Sequence, residues 1–214
     1  MESWELIFRK EGIYFKEPHE SIPKVAQLFE GKGVKKVLDV CCGTGRHEVY
    51  LAKLGFEVCG FDASPTAIRL AKEWLDSEGL DADLVVHNMN DRFPYRDATF
   101  DAVIGINAIH HTTTEGVRKV ISEIRRVLKP KGTVFIDVPL TRKATERAEQ
   151  LEETKYEKID DHTYMPLNGM EKGLPHFYFM DRETVERFFK GFDIKEMWQV
   201  SSGHYAILAV KAEK

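Results

Sequence analysis

The feature that most limits what this chain can fold into is the run Val37-Leu38-Asp39-Val40, which breaks directly into Cys41-Cys42-Gly43-Thr44-Gly45 and then into a helical pattern. A short, mostly apolar run reads as a buried strand, and small residues at its end let the backbone turn sharply into a helix. Such a unit is completed by a parallel neighbour, and the chain supplies several. Residues 56–61 read as a second strand. Ser64 then caps a helix with Pro65 in its first turn and Ala67, Ile68, Ala71, Trp74 and Leu75 along one stripe. Residues 83–87 and 100–106 read as strands three and four. Val117, Val120, Ile121, Ile124, Val127 and Leu128 mark an amphipathic helix stopped by Pro130 and Gly132, and residues 133–138 form a fifth strand. This alternation predicts an α/β fold, a doubly wound sheet with helices on both faces.

Beyond Leu140 the pattern changes. Residues 142–156 read as a polar helix, and 157–180 as an irregular insertion in which the segments around Tyr164 and Phe177-Tyr178-Phe179 pair as a hairpin. Asp181 caps a helix carrying Val185, Phe188 and Phe189, and residues 192–200 and 204–210 are two strands spaced to pair antiparallel. Helical pieces are expected near residues 2–10 and 21–30. No repeat or linker divides the chain, so residues 1–214 are expected to form one domain.

Charge and cysteine usage narrow the partners. The net charge is −4, whereas a chain that grips a phosphate backbone usually carries a basic surplus. The ligand is therefore expected to be a small molecule, not a nucleic acid. Three cysteines, two of them adjacent, make no disulfide framework, and no Cys/His spacing matches a zinc site. No apolar run approaches the about 20 residues of a membrane span. A soluble protein of the cytoplasm is the expectation.

The chemistry concentrates at the strand ends. The loop Cys41–Gly45 allows close backbone approach to a ligand, at a helix start with free N–H groups. Asp62 ends strand two, 17 residues after Gly45, where a carboxylate accepts both ribose hydroxyls of an adenosine. Dinucleotide binding needs Gly-x-Gly-x-x-Gly, but from Gly43 the chain reads Gly-Thr-Gly-Arg-His-Glu, and Asp39 would repel a pyrophosphate. These features favour adenosine without phosphate and argue against a nicotinamide oxidoreductase.

Residues Val37–Gly45 resemble the first motif of class I S-adenosylmethionine-dependent methyltransferases, and Gly60-Phe61-Asp62-Ala63-Ser64 their second. Phe93–Asp101 resembles the run into their fourth strand, and Glu123–Gly132 their helix-to-strand-five signature. The four motifs fall in order within residues 35–140, and the likeness is greatest to the small, stand-alone branch that acts on small molecules. The resemblance implies a Rossmann-like, seven-stranded sheet of order 3-2-1-4-5-7-6 with strand seven antiparallel, and S-adenosyl-L-methionine as cofactor. It further implies that Asp39 and the loop with Cys41, Gly43 and Gly45 hold the methionine moiety. Asp62 would hold the ribose, Ala63, Asn88 and Met89 would edge the adenine, and Asn107 would lie under the cofactor. Cys41 departs from the glycine expected at its position, and Asn88 from the more usual aspartate.

The same resemblance makes residues 1–30 a helical lid, with Tyr14 contacting the cofactor among the aromatics Trp4, Phe8, Tyr14 and Phe15, and makes 157–180 a cap. His110 and His111 follow strand four at the acceptor rim, and His176 lies in the cap; these three are the candidate catalytic contacts. Arg46 is open to two readings, contact with the cofactor carboxylate or a surface role, and His47 is read as a helix-start residue. The expected activity is in-line methyl transfer to a small molecule. A protein side chain as acceptor, or a non-catalytic cofactor-binding partner protein, are the alternatives.

Overall fold

Side chains alternate across the sheet, and both sets are buried. Leu38, Val40, Val103, Val134, Ile136, Ile207 and Ala209 join one apolar cluster, whereas Val37, Ala102, Ile104, Phe135, Ala206 and Leu208 join another. A sheet whose two faces are equally apolar requires helices on both, which is the physical origin of the three-layer arrangement. The computed structural model describes residues 2–139, 155–169, 171–179, 181–201 and 204–213.

The elements run α1 (Glu2–Glu11), α2 (Ile22–Gly31), β1 (Lys36–Val40), α3 (Arg46–Lys53), β2 (Glu57–Asp62), α4 (Pro65–Ser77), β3 (Asp83–Val86), β4 (Phe100–Gly105), α5 (Thr114–Val127) and β5 (Leu128–Val138). They continue with β6 (Tyr156–Lys158), β7 (Thr163–Pro166), β8 (His176–Phe177), α6 (Arg182–Phe188), β9 (Phe192–Gln199) and β10 (Tyr205–Lys211). The large sheet has the order β3-β2-β1-β4-β5-β10-β9. β1 to β5 are parallel, and β10 is antiparallel to both β5 and β9. This is the implied seven-stranded order with its reversed strand.

α5 lays Val117, Val120, Ile121, Ile124 and Val127 on the first face, together with Val185 and Phe188 of α6. α2 lays Ile22, Val25, Ala26 and Phe29 on the second, beside Leu51 of α3. Burying each such side chain contributes about 1.5–3 kcal/mol. The helix starts follow the sequence: Ser64 Oγ accepts from Ala67 N–H at 2.9 Å and Asp181 Oδ1 from Thr184 N–H at 2.8 Å.

The insertion departs from expectation at one edge. Residues 142–154 of the expected polar helix lie outside the described residues, but Tyr156, assigned to that helix, stands in β6 and pairs with Pro166 of β7. The expected hairpin is present as β7 against β8, with Thr163 opposite Phe177 and Tyr164 opposite His176. The three-stranded sheet β6-β7-β8 is fastened to the core where Phe177 N–H donates to the His110 carbonyl at 2.7 Å and Thr114 N–H to Thr163 Oγ1 at 3.0 Å.

Candidate functional site

The chain builds outward from β1 to β3, then returns to place β4 on β1's other side. At such a reversal the loops after the two strands diverge and leave a crevice at their carboxyl ends. The loop after β1 is shaped by positive φ at Cys41 (62°), Gly43 (56°) and Gly45 (91°). Cys41 thus holds a left-handed conformation without being glycine, at a cost of about 1–2 kcal/mol, while Cys42 N–H is tied to the Phe61 carbonyl at 3.0 Å. Gly45 cannot be replaced so simply. A Cβ there would stand 2.9 Å from Ala71 Cβ, because α3 and α4 meet at this point.

A cavity opens above these loops. Cys41, Gly43, Asp62, Ala63, Asn88, Met89 and Asn107 line it, so seven of the ten expected cofactor residues share one wall. Asp62 is its acid. Its Oδ2 accepts from Gly43 N–H at 3.1 Å and its Oδ1 from Ser64 N–H at 2.9 Å. The carboxylate therefore pins the first loop to the second while facing the cavity. Burial raises its pKa, and the two backbone donors act against that rise. Asn88 Oδ1 accepts from Asn90 N–H at 3.0 Å, which closes its own turn. The Sγ of Cys41 lies 3.5 Å from Met89 Sδ, packing β1's loop against the loop after β3.

Three expected contacts stand elsewhere. Tyr14 is half exposed and packs edge-on against Phe15, and it is Phe15 that lines the cavity. Gly45 serves helix packing, as above. Asp39 is fully buried behind the cavity and accepts from His47 Nδ1 at 3.1 Å. His47, read only as a helix-start residue, lines the cavity and uses both ring nitrogens, since its Nε2 accepts from His19 N–H at 3.3 Å. Burial keeps this imidazole neutral. Glu48, also fully buried, has neither carboxyl oxygen bonded to a conventional donor. Burial pushes both carboxyls up, and the negative charge of Asp39 pushes Glu48 up further still.

The cavity's other wall is aromatic and imidazole-rich. Trp4 and Phe8 of α1 line it together with His111 and Leu174. The Trp4 ring meets the His111 ring edge-on at 5.7 Å between centroids. α1 is held there by Glu5, whose carboxylate accepts from the Ser64 and Thr66 hydroxyls at the start of α4. Those bonds, the Ser64 hydroxyl's foremost, lower its pKa to about 2. His110 is buried behind His111, and His176 packs on His111 at 4.8 Å. Burial depresses all three imidazoles, His111 to about 3 and His176 to about 4. Arg46 lines the cavity and spreads over the Phe15 ring at 4.8 Å; burial lowers its pKa.

A second buried carboxylate escaped sequence reading. Asp137, at the end of β5, accepts from His204 Nδ1 at 2.6 Å and has its other oxygen 3.4 Å from His19 Nε2. Burial alone would raise its pKa, but the two histidines hold it low. Only its place near the end of a parallel strand marks it in the sequence; its partners lie 118 residues before and 67 after.

Residues 37–132 match the family model described as a methyltransferase domain. The chain is 39% identical to an uncharacterised methyltransferase of Synechocystis over 108 residues, which is 50% of this chain and 48% of that protein. It is 32% identical to a probable tRNA methyltransferase of Homo sapiens over 138 residues, covering 62% of this chain and 28% of the human protein. This chain thus spans about half, or less, of the length of the curated relatives it matches. The crystal structure of a Pyrococcus horikoshii protein superposes with a TM-score of 0.73 at 25% identity, over 97% of this chain and 99% of that one. Among the described residues no helix is long and apolar enough to cross a membrane.

Proposed function

We propose that this chain is a class I S-adenosylmethionine-dependent methyltransferase, as the match of residues 37–132 to the methyltransferase-domain model supports, and that it methylates a small molecule bound between the cofactor and the His111 wall. Bound S-adenosylmethionine supplies an electrophilic methyl group on a sulfonium centre. The fit of the cavity to this cofactor rests on Asp62, a buried carboxylate that faces the space, and on the absence of a basic cradle: Arg46 is the only Lys or Arg among its lining residues. Asp62 is positioned to accept from ribose hydroxyls, with Ala63, Asn88 and Met89 around the base. Gly43, Cys41 and Asn107 lie towards the methionine end, and Arg46 offers a counter-charge to its carboxylate.

The observation that carries the acceptor reading is the wall of Trp4, Phe8, His111 and Leu174. Methyl transfer is an in-line displacement that gains from alignment and exclusion of water. An aromatic wall disperses charge and keeps water out, and His111 is the polar group on it. A base is needed only where the acceptor carries a proton; burial keeps His111 neutral, so it offers the acceptor a hydrogen-bonding group and no added charge. His176 and His110 support that ring from behind. The cover of α1 and the cap favours a compact acceptor over a nucleic-acid backbone, as does the net charge of −4.

The test is product analysis with isotopically labelled S-adenosylmethionine, offering a metabolite extract in one arm and purified tRNA and rRNA in the other. Label is expected in a low-molecular-weight product. Label in RNA alone would overturn the acceptor assignment and align this chain with the activity named for its human relative.

A further inference from the structure

Four of the eight histidines form one contiguous group against the acceptor wall. His110 and His111 rings lie 4.1 Å apart, His111 and His176 4.8 Å, and His110 and His204 5.6 Å. His204 is bonded to Asp137, which accounts for one end. The other end is different. Nδ1 of His111 and Nε2 of His176 are buried without a hydrogen-bond partner. Glu171 brings a carboxylate oxygen to 3.4 Å from that Nε2, within ion-pair reach but outside hydrogen-bond geometry. One donor atom from each of His111, Glu171 and His176 lies within 4.8 Å of the others.

We infer that His111, Glu171 and His176 bind a divalent transition-metal ion of the zinc type at the acceptor wall, so that the acceptor is a hydroxyl or thiol compound. The inference rests on the methyltransferase reading for its role, but the site itself is independent of it. Two imidazoles and one carboxylate are a donor set suited to such ions, and three protein ligands leave coordination positions open. Tetrahedral zinc, with bonds of about 2.0–2.1 Å, places its ligand atoms about 3.4 Å apart. Side-chain rotations of about an ångström therefore close the present spacing. A hydrogen-bonded relay would instead require a bonded partner at the His111 Nδ1 and His176 Nε2 atoms, and neither makes a hydrogen bond among the described residues. A cation satisfies both nitrogens and the carboxylate together.

The position gives the ion a task. His111 is shared between this cluster and the cavity, and Leu174, between the two cap ligands in sequence, lines the same cavity. A metal-bound hydroxyl or thiol loses its proton to water far more readily than a free one. The oxygen or sulfur lone pair then forms the bond to the methyl carbon. The carbon–sulfonium bond breaks with its electron pair left on sulfur, giving S-adenosylhomocysteine. The cap's β7-β8 hairpin carries His176 and presents Glu171 nearby, so metal binding would fix the cap to the loop after β4.

The full-length, tag-free protein titrated with Zn2+ by calorimetry should bind one equivalent, and Co2+ should give visible absorption bands of a low-coordinate site. Glu171→Gln and His176→Ala should each weaken Zn2+ binding by about a hundredfold or more, with unchanged circular dichroism and retained S-adenosylhomocysteine binding. Absence of stoichiometric Zn2+ binding, or variants that bind it as the parent does, would overturn the site. Loss of S-adenosylhomocysteine binding by the parent protein would overturn the functional reading while leaving the metal titration decisive for the site. Label found only on nitrogen in the Zn2+-loaded enzyme's products would overturn the hydroxyl or thiol assignment.

Discussion

Replacing Gly45 by alanine separates two effects that the structure places on one residue. The backbone there has φ +91°, a conformation that costs an L-residue about 1–2 kcal/mol. The new Cβ would also stand 2.9 Å from Ala71 Cβ and 3.1 Å from Ala71 Cα, an overlap with a packed helix that costs about 1–3 kcal/mol. Alanine restricts the unfolded chain and returns about 0.4–1 kcal/mol. The net loss is therefore about 1–4.5 kcal/mol. Ala71→Gly alone should cost about 1 kcal/mol, as glycine within a helix. In the double variant the 2.9 Å overlap with the residue-71 Cβ disappears, while the 3.1 Å approach to its Cα and the φ strain remain. Urea unfolding of all four proteins, with the denaturant slope checked for constancy, should give a double-variant loss smaller than the sum by about 1–2 kcal/mol. Additivity within about 0.5 kcal/mol would refute the contact between α3 and α4 as the reason for glycine here.

Asp62→Ala should weaken S-adenosylhomocysteine binding by about 1–3 kcal/mol in calorimetry, through lost charge-assisted bonds to ribose, and the parent protein should not bind NADH. Glu48→Gln should be more stable than the parent at high pH. Burial holds the Glu48 carboxyl protonated in the fold while the unfolded chain ionises above about 4.5, so folding takes up a proton and stability falls as pH rises. Urea unfolding at pH 5.5 and pH 8 should show the gap widening upward; a gap that narrows would refute the raised Glu48 carboxyl. Glu5→Gln should loosen α1, read as faster amide exchange around Trp4, with an effect of no more than about 1 kcal/mol because Glu5 is partly solvated. That difference should be present above pH 4.5 and fade as acid approaches the depressed pKa of about 2.

The strands and the loops of the cofactor wall are legible because they depend on local signals, whereas the order of the sheet follows from the family resemblance. Apolar strands ending in small residues, and Asp62 at a strand end, carry their meaning within a few residues. Tyr14 and Phe15 differ by one position in an irregular segment, where no periodicity says which ring turns inward. Asp39 in β1 turns its carboxylate to His47, and a carboxylate inside a strand gives no sign of the buried His47 and Glu48 in the first turn of the next helix. The Asp137–His204–His19 assembly and the His111–Glu171–His176 cluster join residues from distant parts of the chain. Only the folded arrangement brings them together. β6 was missed because Tyr156-Glu157-Lys158 is polar and exposed, and so resembles helix surface.

β10 lies between β5 and β9 although it follows both in the chain. Until it is made, β5 has an open flank bearing Val134, Phe135, Ile136 and Val138, and β9 has no partner in this sheet. Growth of the sheet is therefore not sequential: its interior is finished by insertion. A nascent or partly unfolded chain lacking β10 exposes a long, apolar template for pairing with other molecules. The segment 37–132 that matches the methyltransferase-domain model thus depends, for its freedom from aggregation, on a strand that lies outside it.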